Sequence, residues 1–231
     1  MYTRIRLNAG LTGVLLALLA AVSAPAIAAG IADTKHNLSV TGPGTIKSTD
    51  QTEICVFCHT PHDAIKNDNI PLWNHTLSTT ASYGTYVSPT LDATDAGDIG
   101  GVTAANAAVS NLCLSCHDGT VAVNSMNNPS NARPTTTMAG GVTKITGAAN
   151  LGAGSDALKN DHPVNFTYDA ALVTADGGLK APGSLTGVKL FANKVQCASC
   201  HDPHTSQDPT GQAFLRVSMS GSTLCLSCHS K

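Results

Sequence analysis

The chain is 231 residues long with a formal net charge of −2, 12% charged residues and 4% aromatic residues. That balance excludes the basic footprint of a nucleic-acid binder and supplies no strong field for steering charged partners. Hydrophobic residues reach 42%, yet with one Trp the chain is short of the large side chains that usually build a core, so something other than side chains is expected to fill the interior.

The N-terminus reads as an address. Arg4 and Arg6 form a positive start, Leu11 to Val22 a short apolar run, and Ala26-Ile27-Ala28 a cleavage site of the A-x-A kind, so residues 1–28 are read as a signal peptide. The run is too short for a comfortable bilayer span. The mature chain is expected to be exported, with no membrane span.

All eight Cys fall in four C-x-x-C-H units: Cys55-Val-Phe-Cys58-His59, Cys113-Leu-Ser-Cys116-His117, Cys197-Ala-Ser-Cys200-His201 and Cys225-Leu-Ser-Cys228-His229. This spacing is the attachment signature of c-type haem. Two thiols three positions apart add across the two vinyl groups of one porphyrin, and the His that follows lies under the iron as proximal ligand. A redox dithiol or half a zinc site needs no His directly after the second Cys. A disulfide framework would not repeat one spacing four times. Four haem c groups are therefore expected, with His59, His117, His201 and His229 as proximal ligands, and the flat apolar cofactors answer the shortage of core side chains.

Between the motifs, short helices are expected over Val102 to Asp118 and Gly221 to His229, and short strands over Val40 to Ile46 and Val164 to Tyr168. Elsewhere Gly, Pro, Asn and Ser punctuate too often for long elements. The expected fold is irregular, mostly coil with a few short helices and minimal strand, wrapped around four covalently bound haems. Asp92, Asp95 and Asp98 beside Gly97 do not match the EF-hand spacing and read as a surface turn. The N-x-S/T sites at Asn37, Asn74 and Asn165 read as polar loop.

The chain is internally duplicated. Cys55 to His62 (C-x-x-C-H-T-P-H) reappears as Cys197 to His204 (C-x-x-C-H-D-P-H), and Leu112 to His117 (L-C-L-S-C-H) as Leu224 to His229. Two dihaem modules are expected, 29–150 with a long insert and 151–231. The join runs from Gly119 to Asp161, as a linker or as loops pressed on haem faces.

Each iron takes a second axial ligand. Five His lie outside the proximal positions, namely His36, His62, His75, His162 and His204, and four are needed to close every haem. Met126, Met138 and Met219 are the alternative distal ligands. The repeat suggests His36 and His162, and His62 and His204, as equivalent positions. His62 and His204 stand three residues after a proximal His, too close to wrap the same haem, so each is expected to reach a neighbouring one. His36 lies near the mature N-terminus, where an arm could reach the next copy, and head-to-tail contacts that do not close give filaments.

Lys35-His36-Asn37-Leu38-Ser39, Cys55 to His62, Pro71 to His75, Asp161-His162-Pro163 and the paired motif from Cys197 to His229 together resemble the OmcE-like tetrahaem outer-surface c-type cytochromes, within the doubled C-x-x-C-H multihaem family. The resemblance implies bis-His haems, polymerisation into an extracellular conductive filament, and a His, here His36, that crosses to the neighbouring subunit. The expected function is non-enzymatic electron transfer by haem-to-haem hopping, handing electrons to other cytochromes or extracellular acceptors. Alternatives are a monomeric periplasmic electron shuttle and a multihaem reductase with one open haem. The count of spare His and the absence of a C-x-x-C-K variant argue against the reductase.

Overall fold

The structure, a computed structural model, describes residues 30–66, 72–84, 86–103, 106–129, 135–152, 157–205 and 214–230. The expected signal peptide, residues 1–28, lies outside them. Four short helices are present among the described residues: α1 (Val109–His117), α2 (Ala170–Asp176), α3 (Cys197–Cys200) and α4 (Thr223–Cys228). Two strands, β1 (Phe166–Thr167) and β2 (Lys194–Val195), pair antiparallel with Phe166 opposite Val195. Single 3₁₀ turns, bends and coil make up the remainder, as the sequence led us to expect.

The elements are shorter than their sequence patterns suggest, each for a local reason. The helix expected from Val102 begins at Val109. The Asn106 side chain closes a turn on the Thr103 amide (2.7 Å), and Asn111 takes the Ala108 amide (2.7 Å). The helix expected from Gly221 begins at Thr223, because Gly221 and Ser222 are both left-handed (φ 61° and 59°). No strand forms over Val40 to Ile46. The Val40 amide bonds to Gln51 O (2.8 Å) and the Gly42 amide turns back to Ser39 O (3.0 Å), and Gly42-Pro43-Gly44 interrupts the extended backbone. The strand expected over Val164 to Tyr168 shrinks to Phe166–Thr167, since Asn165 is left-handed (φ 64°).

The described part of the join from Gly119 to Asp161 is packed. Thr49 N and Ser48 Oγ donate to Thr137 O (2.9 and 3.0 Å), and Ala139 N donates to Lys47 O (2.8 Å). Val123 and Met138, from the same segment, are buried against Val56 and Phe57. The Asp92 to Asp98 stretch is a surface turn that ties the insert to the β1–β2 pair. Asp95 accepts from Thr167 N (2.9 Å) and Lys194 Nζ (3.1 Å). Asn37 and Asn74 are fully buried, which rules out glycan attachment at either in the folded chain.

Apolar burial is divided among three small clusters in the described residues: Val56, Phe57, Val123 and Met138; Tyr83, Ile99, Leu114 and Leu158; and Ala93, Phe166, Tyr168 and Val195. The second and third draw residues from both sides of position 150. The two expected modules therefore share their interior.

Candidate functional site

Each C-x-x-C-H unit forms one helical turn. Cys55–Phe57 is a 3₁₀ turn and the other three motifs lie on α1, α3 and α4. Residues three apart on a helical turn share a face, so both thiols of each pair lie on one side. In three motifs the His amide closes the turn on the first Cys carbonyl: His59 N to Cys55 O (2.8 Å), His201 N to Cys197 O (3.1 Å) and His229 N to Cys225 O (2.9 Å). The imidazole is thereby held at the end of the turn that carries the thiols, as attachment of a porphyrin at one edge and ligation at its centre requires.

The duplication extends to the backbone. Thr60 N bonds to Leu72 O and Asn74 N to Cys58 O; at one constant sequence offset, Asp202 N bonds to Phe214 O and Arg216 N to Cys200 O, all at 2.8–2.9 Å. His59 bridges Trp73 as His201 bridges Leu215. Leu72 and Phe214, at equivalent places, both take positive φ (56° and 61°). The side chains repeat the device with different chemistry: Asn74 Nδ2 donates to Val56 O (2.5 Å), and Arg216 Nε to Ala198 O (2.8 Å). Both hold the x-x peptides of a motif, and neither carried a signal in the sequence. In the sequence Asn74 reads only as part of an N-x-S/T triplet.

Consecutive motifs are neighbours. The Cys116 thiol lies within electrostatic reach of Cys58. Cys113 shares a hydrogen bond with Cys197, where α1 packs on α3. There the Ser110 hydroxyl accepts from the Cys197 amide (3.0 Å) and donates to Gln196 Oε1 (2.5 Å). Cys200 lies within electrostatic reach of Cys228 and Cys225.

Cys58, Cys113 and Cys116 are held in the thiol form. Burial pushes Cys58 up to about 11 and Cys116 up to about 12, and the bond to Cys197 together with burial raises Cys113 well above its ordinary value. Cys197, whose thiolate receives the hydrogen bond from Cys113, is brought down to about 7. A dithiol oxidoreductase lowers the pKa of its attacking thiol within a single C-x-x-C pair; here the lowered thiol owes its shift to a different motif.

The nine histidines are placed as follows. His117 Nδ1 lies 2.7 Å from Ala149 O, leaving Nε2 for a metal, the usual way a ligating His is oriented. His204 Nδ1 lies 3.2 Å from Asp202 Oδ1, and Asp202 is itself fixed by Arg216 (2.8 Å). His162 Nδ1 lies 2.9 Å from Pro163 O. His75 is buried, its Nδ1 2.9 Å from Thr76 O and its Nε2 3.0 Å from Ala122 O; the Cys116 thiol is 3.4 Å from Nε2. His62 takes part through its backbone, its carbonyl accepting from Asn128 Nδ2 (2.7 Å).

His36 packs within its own chain, 4.2 Å from the Phe214 ring, with 6.1 Å between its centroid and that of His117. Burial lowers it to about 4, with charge on His117, His204 and His201 acting the same way. Its Nδ1 is buried with no hydrogen-bond partner. A neutral imidazole with an orphaned nitrogen is the donor an iron would take up, so the residues fit the group. In this chain His36 lies beside His117. His59 lies 6.1 Å from His204, in nearly parallel planes. His201 and His229 are held at the ends of α3 and α4 by the amide bonds described above. Of the Met alternatives, Met138 is buried in the first core cluster and Met126 packs against it.

Among the described residues no three His, Cys, Asp or Glu side chains converge as a protein-only metal centre; a haem iron asks the protein for two ligands at most. Residues 189–231 match the doubled CXXCH motif. That match covers the third and fourth units and indicates covalent haem c attachment, and with it a multihaem c-type cytochrome engaged in electron transfer. No curated protein matches the chain. Among the described residues no helix is long and apolar enough to cross a membrane.

Proposed function

We propose that the chain carries four haem c groups, one on each C-x-x-C-H unit, and conducts electrons along them in chain order. The observation that supports this reading is the succession of thiol neighbours, Cys58 to Cys116, Cys113 to Cys197, and Cys200 to Cys228. Cofactors bonded to adjacent cysteines lie close together, as hopping between them needs. The protein's part is to space and orient the groups and to tune their potentials through axial ligands and burial. With five spare His for four irons, every site can be closed, so the reading is of a carrier rather than an enzyme.

The finer reading is an exported chain that polymerises into an extracellular filament passing electrons to other cytochromes or to extracellular acceptors. It rests on the signal-peptide pattern of residues 1–28 and on the resemblance to OmcE-like cytochromes. Two measurements test the proposal. The intact mass of the purified protein is expected to exceed that of its processed chain by four haems; a mass without covalent haem overturns the conduit. Electron microscopy of material released from the cell surface is expected to reveal continuous filaments with a four-haem repeat; discrete particles with all haems ligated inside one chain would leave a diffusible shuttle.

A further inference from the structure

Two pairings of a proximal with a spare histidine have the same spacing. His36 and His117 have ring centroids 6.1 Å apart with planes at 72°, and His59 and His204 have centroids 6.1 Å apart with planes at 17°. A His nitrogen binds a metal at about 2.0–2.1 Å and sits roughly 1.1 Å from its ring centre, so two imidazoles on opposite sides of one metal have centroids about 6.2–6.4 Å apart. Each observed pair comprises one His of a C-x-x-C-H unit and one of the five spare His. In each pair one Nδ1 is anchored, His117 to Ala149 O and His204 to Asp202, which leaves Nε2 of those rings to ligate.

We propose that His204 is the distal ligand of the haem on Cys55 and Cys58, opposite His59, and that His36 is the distal ligand of the haem on Cys113 and Cys116, opposite His117, both within one chain. This rests on the four-haem reading above and assigns two of its ligands. The third and fourth haems then draw on His62, His75 and His162. The first haem is bound by both halves of the chain, with Asp202 and Arg216 positioning its distal ring.

The ring planes supply the test. Near-parallel axial imidazoles give a low-spin ferric haem a rhombic paramagnetic resonance signal; near-perpendicular ones give a more anisotropic signal with a larger principal g value. The experiment uses the purified holoprotein, its haem content checked by mass, with His36→Gly and His204→Gly. Each variant is expected to lose a quarter of its low-spin haem. His36→Gly should lose a strongly anisotropic signal and His204→Gly a rhombic one, and added imidazole should restore each. Retention of four low-spin haems, or loss of the opposite signal, overturns the assignment. If a Gly variant fails to fold, His36→Met and His204→Met are read instead: a methionine–iron absorption band on one haem supports the assignment and its absence overturns it. A wild-type protein without covalent haem defeats the conduit reading itself, a result separate from failure of the pairing.

Discussion

The Tyr83 hydroxyl donates a 2.6 Å hydrogen bond to the Asp118 carboxylate, and both residues are buried. Asp118 directly follows His117, and its carboxylate also accepts from Ser78 Oγ, Thr80 Oγ1 (2.9 Å), Thr120 N (2.8 Å) and Thr120 Oγ1 (2.7 Å). One side chain thus collects the donors of the insert at the end of the helix carrying the second motif. Tyr83→Phe is expected to cost about 1.5 kcal/mol and Asp118→Ala about 3 kcal/mol, because the second change leaves several buried donors without an acceptor. Denaturant unfolding of the holoprotein measures both; equal costs would mean that the carboxylate is not the hub.

The repeated L-C-L-S-C-H sequence places its inner leucine in two environments. Leu114 is 0% exposed, packed with Tyr83, Ile99 and Leu158, whereas Leu226 is 41% exposed. Leu114→Ala is expected to destabilise the protein by about 3 kcal/mol, and Leu226→Ala by no more than about 0.5 kcal/mol. Thermal unfolding of the two variants provides the comparison.

Asn74 and Arg216 hold equivalent peptides but differ in burial. Asn74 is fully buried and also donates to Asn128 O (3.0 Å) and accepts from Asn128 N (2.7 Å), while Arg216 is partly buried. Asn74→Ala is expected to cost about 3 kcal/mol and Arg216→Met about 1 kcal/mol. In addition, Arg216→Met should loosen Asp202 and alter the signal of the haem that His204 serves, which Asn74→Ala should not do through Asp202. Resonance spectra of the two variants test the distinction.

Acid should weaken the fold through carboxylates far from the motifs. Partial burial alone would raise Asp98, but hydrogen bonds from Ser82, Tyr83, Gly100 and Gly84 outweigh it and hold the group below its ordinary value of 3.8. Asp95 behaves likewise: burial raises it, and Thr167 and Lys194 more than compensate. A depressed folded-state pKa adds stability that is fully present above the unfolded value and disappears as pH falls through the folded one. Stability is therefore expected to be flat from pH 7 to about 5 in this respect and to decline below about pH 4. Asp98→Asn should flatten the decline, as followed by unfolding at a series of pH values.

The four C-x-x-C-H motifs were legible in the sequence because they depend on spacing along the chain. Cys113, Cys116 and His117 need only one helical turn to become an attachment site, and the same holds for the other three motifs. The irregular fold was legible too, since Gly42-Pro43-Gly44 and its like leave no room for long elements. Placement at a distance was not. Nothing local tells His36 that it will lie beside His117 and Phe214, or His204 that it will face His59. Asp118 and Arg216 are ordinary charged residues until the chain brings Tyr83 and Ala198 to them. The start of α1 was not legible either, because short polar side chains, Asn106 and Asn111, capture amides ahead of the apolar pattern.

The division of apolar burial among the described residues into three clusters of four buried residues each bears on how the protein is made. Clusters of that size offset little of the entropy lost on ordering so many glycine-, serine- and threonine-rich loops. If porphyrin supplies the missing burial, the bare polypeptide should arrive at the attachment machinery uncollapsed, with its cysteine pairs open to reaction, and the native shape should follow the thioether bonds rather than precede them.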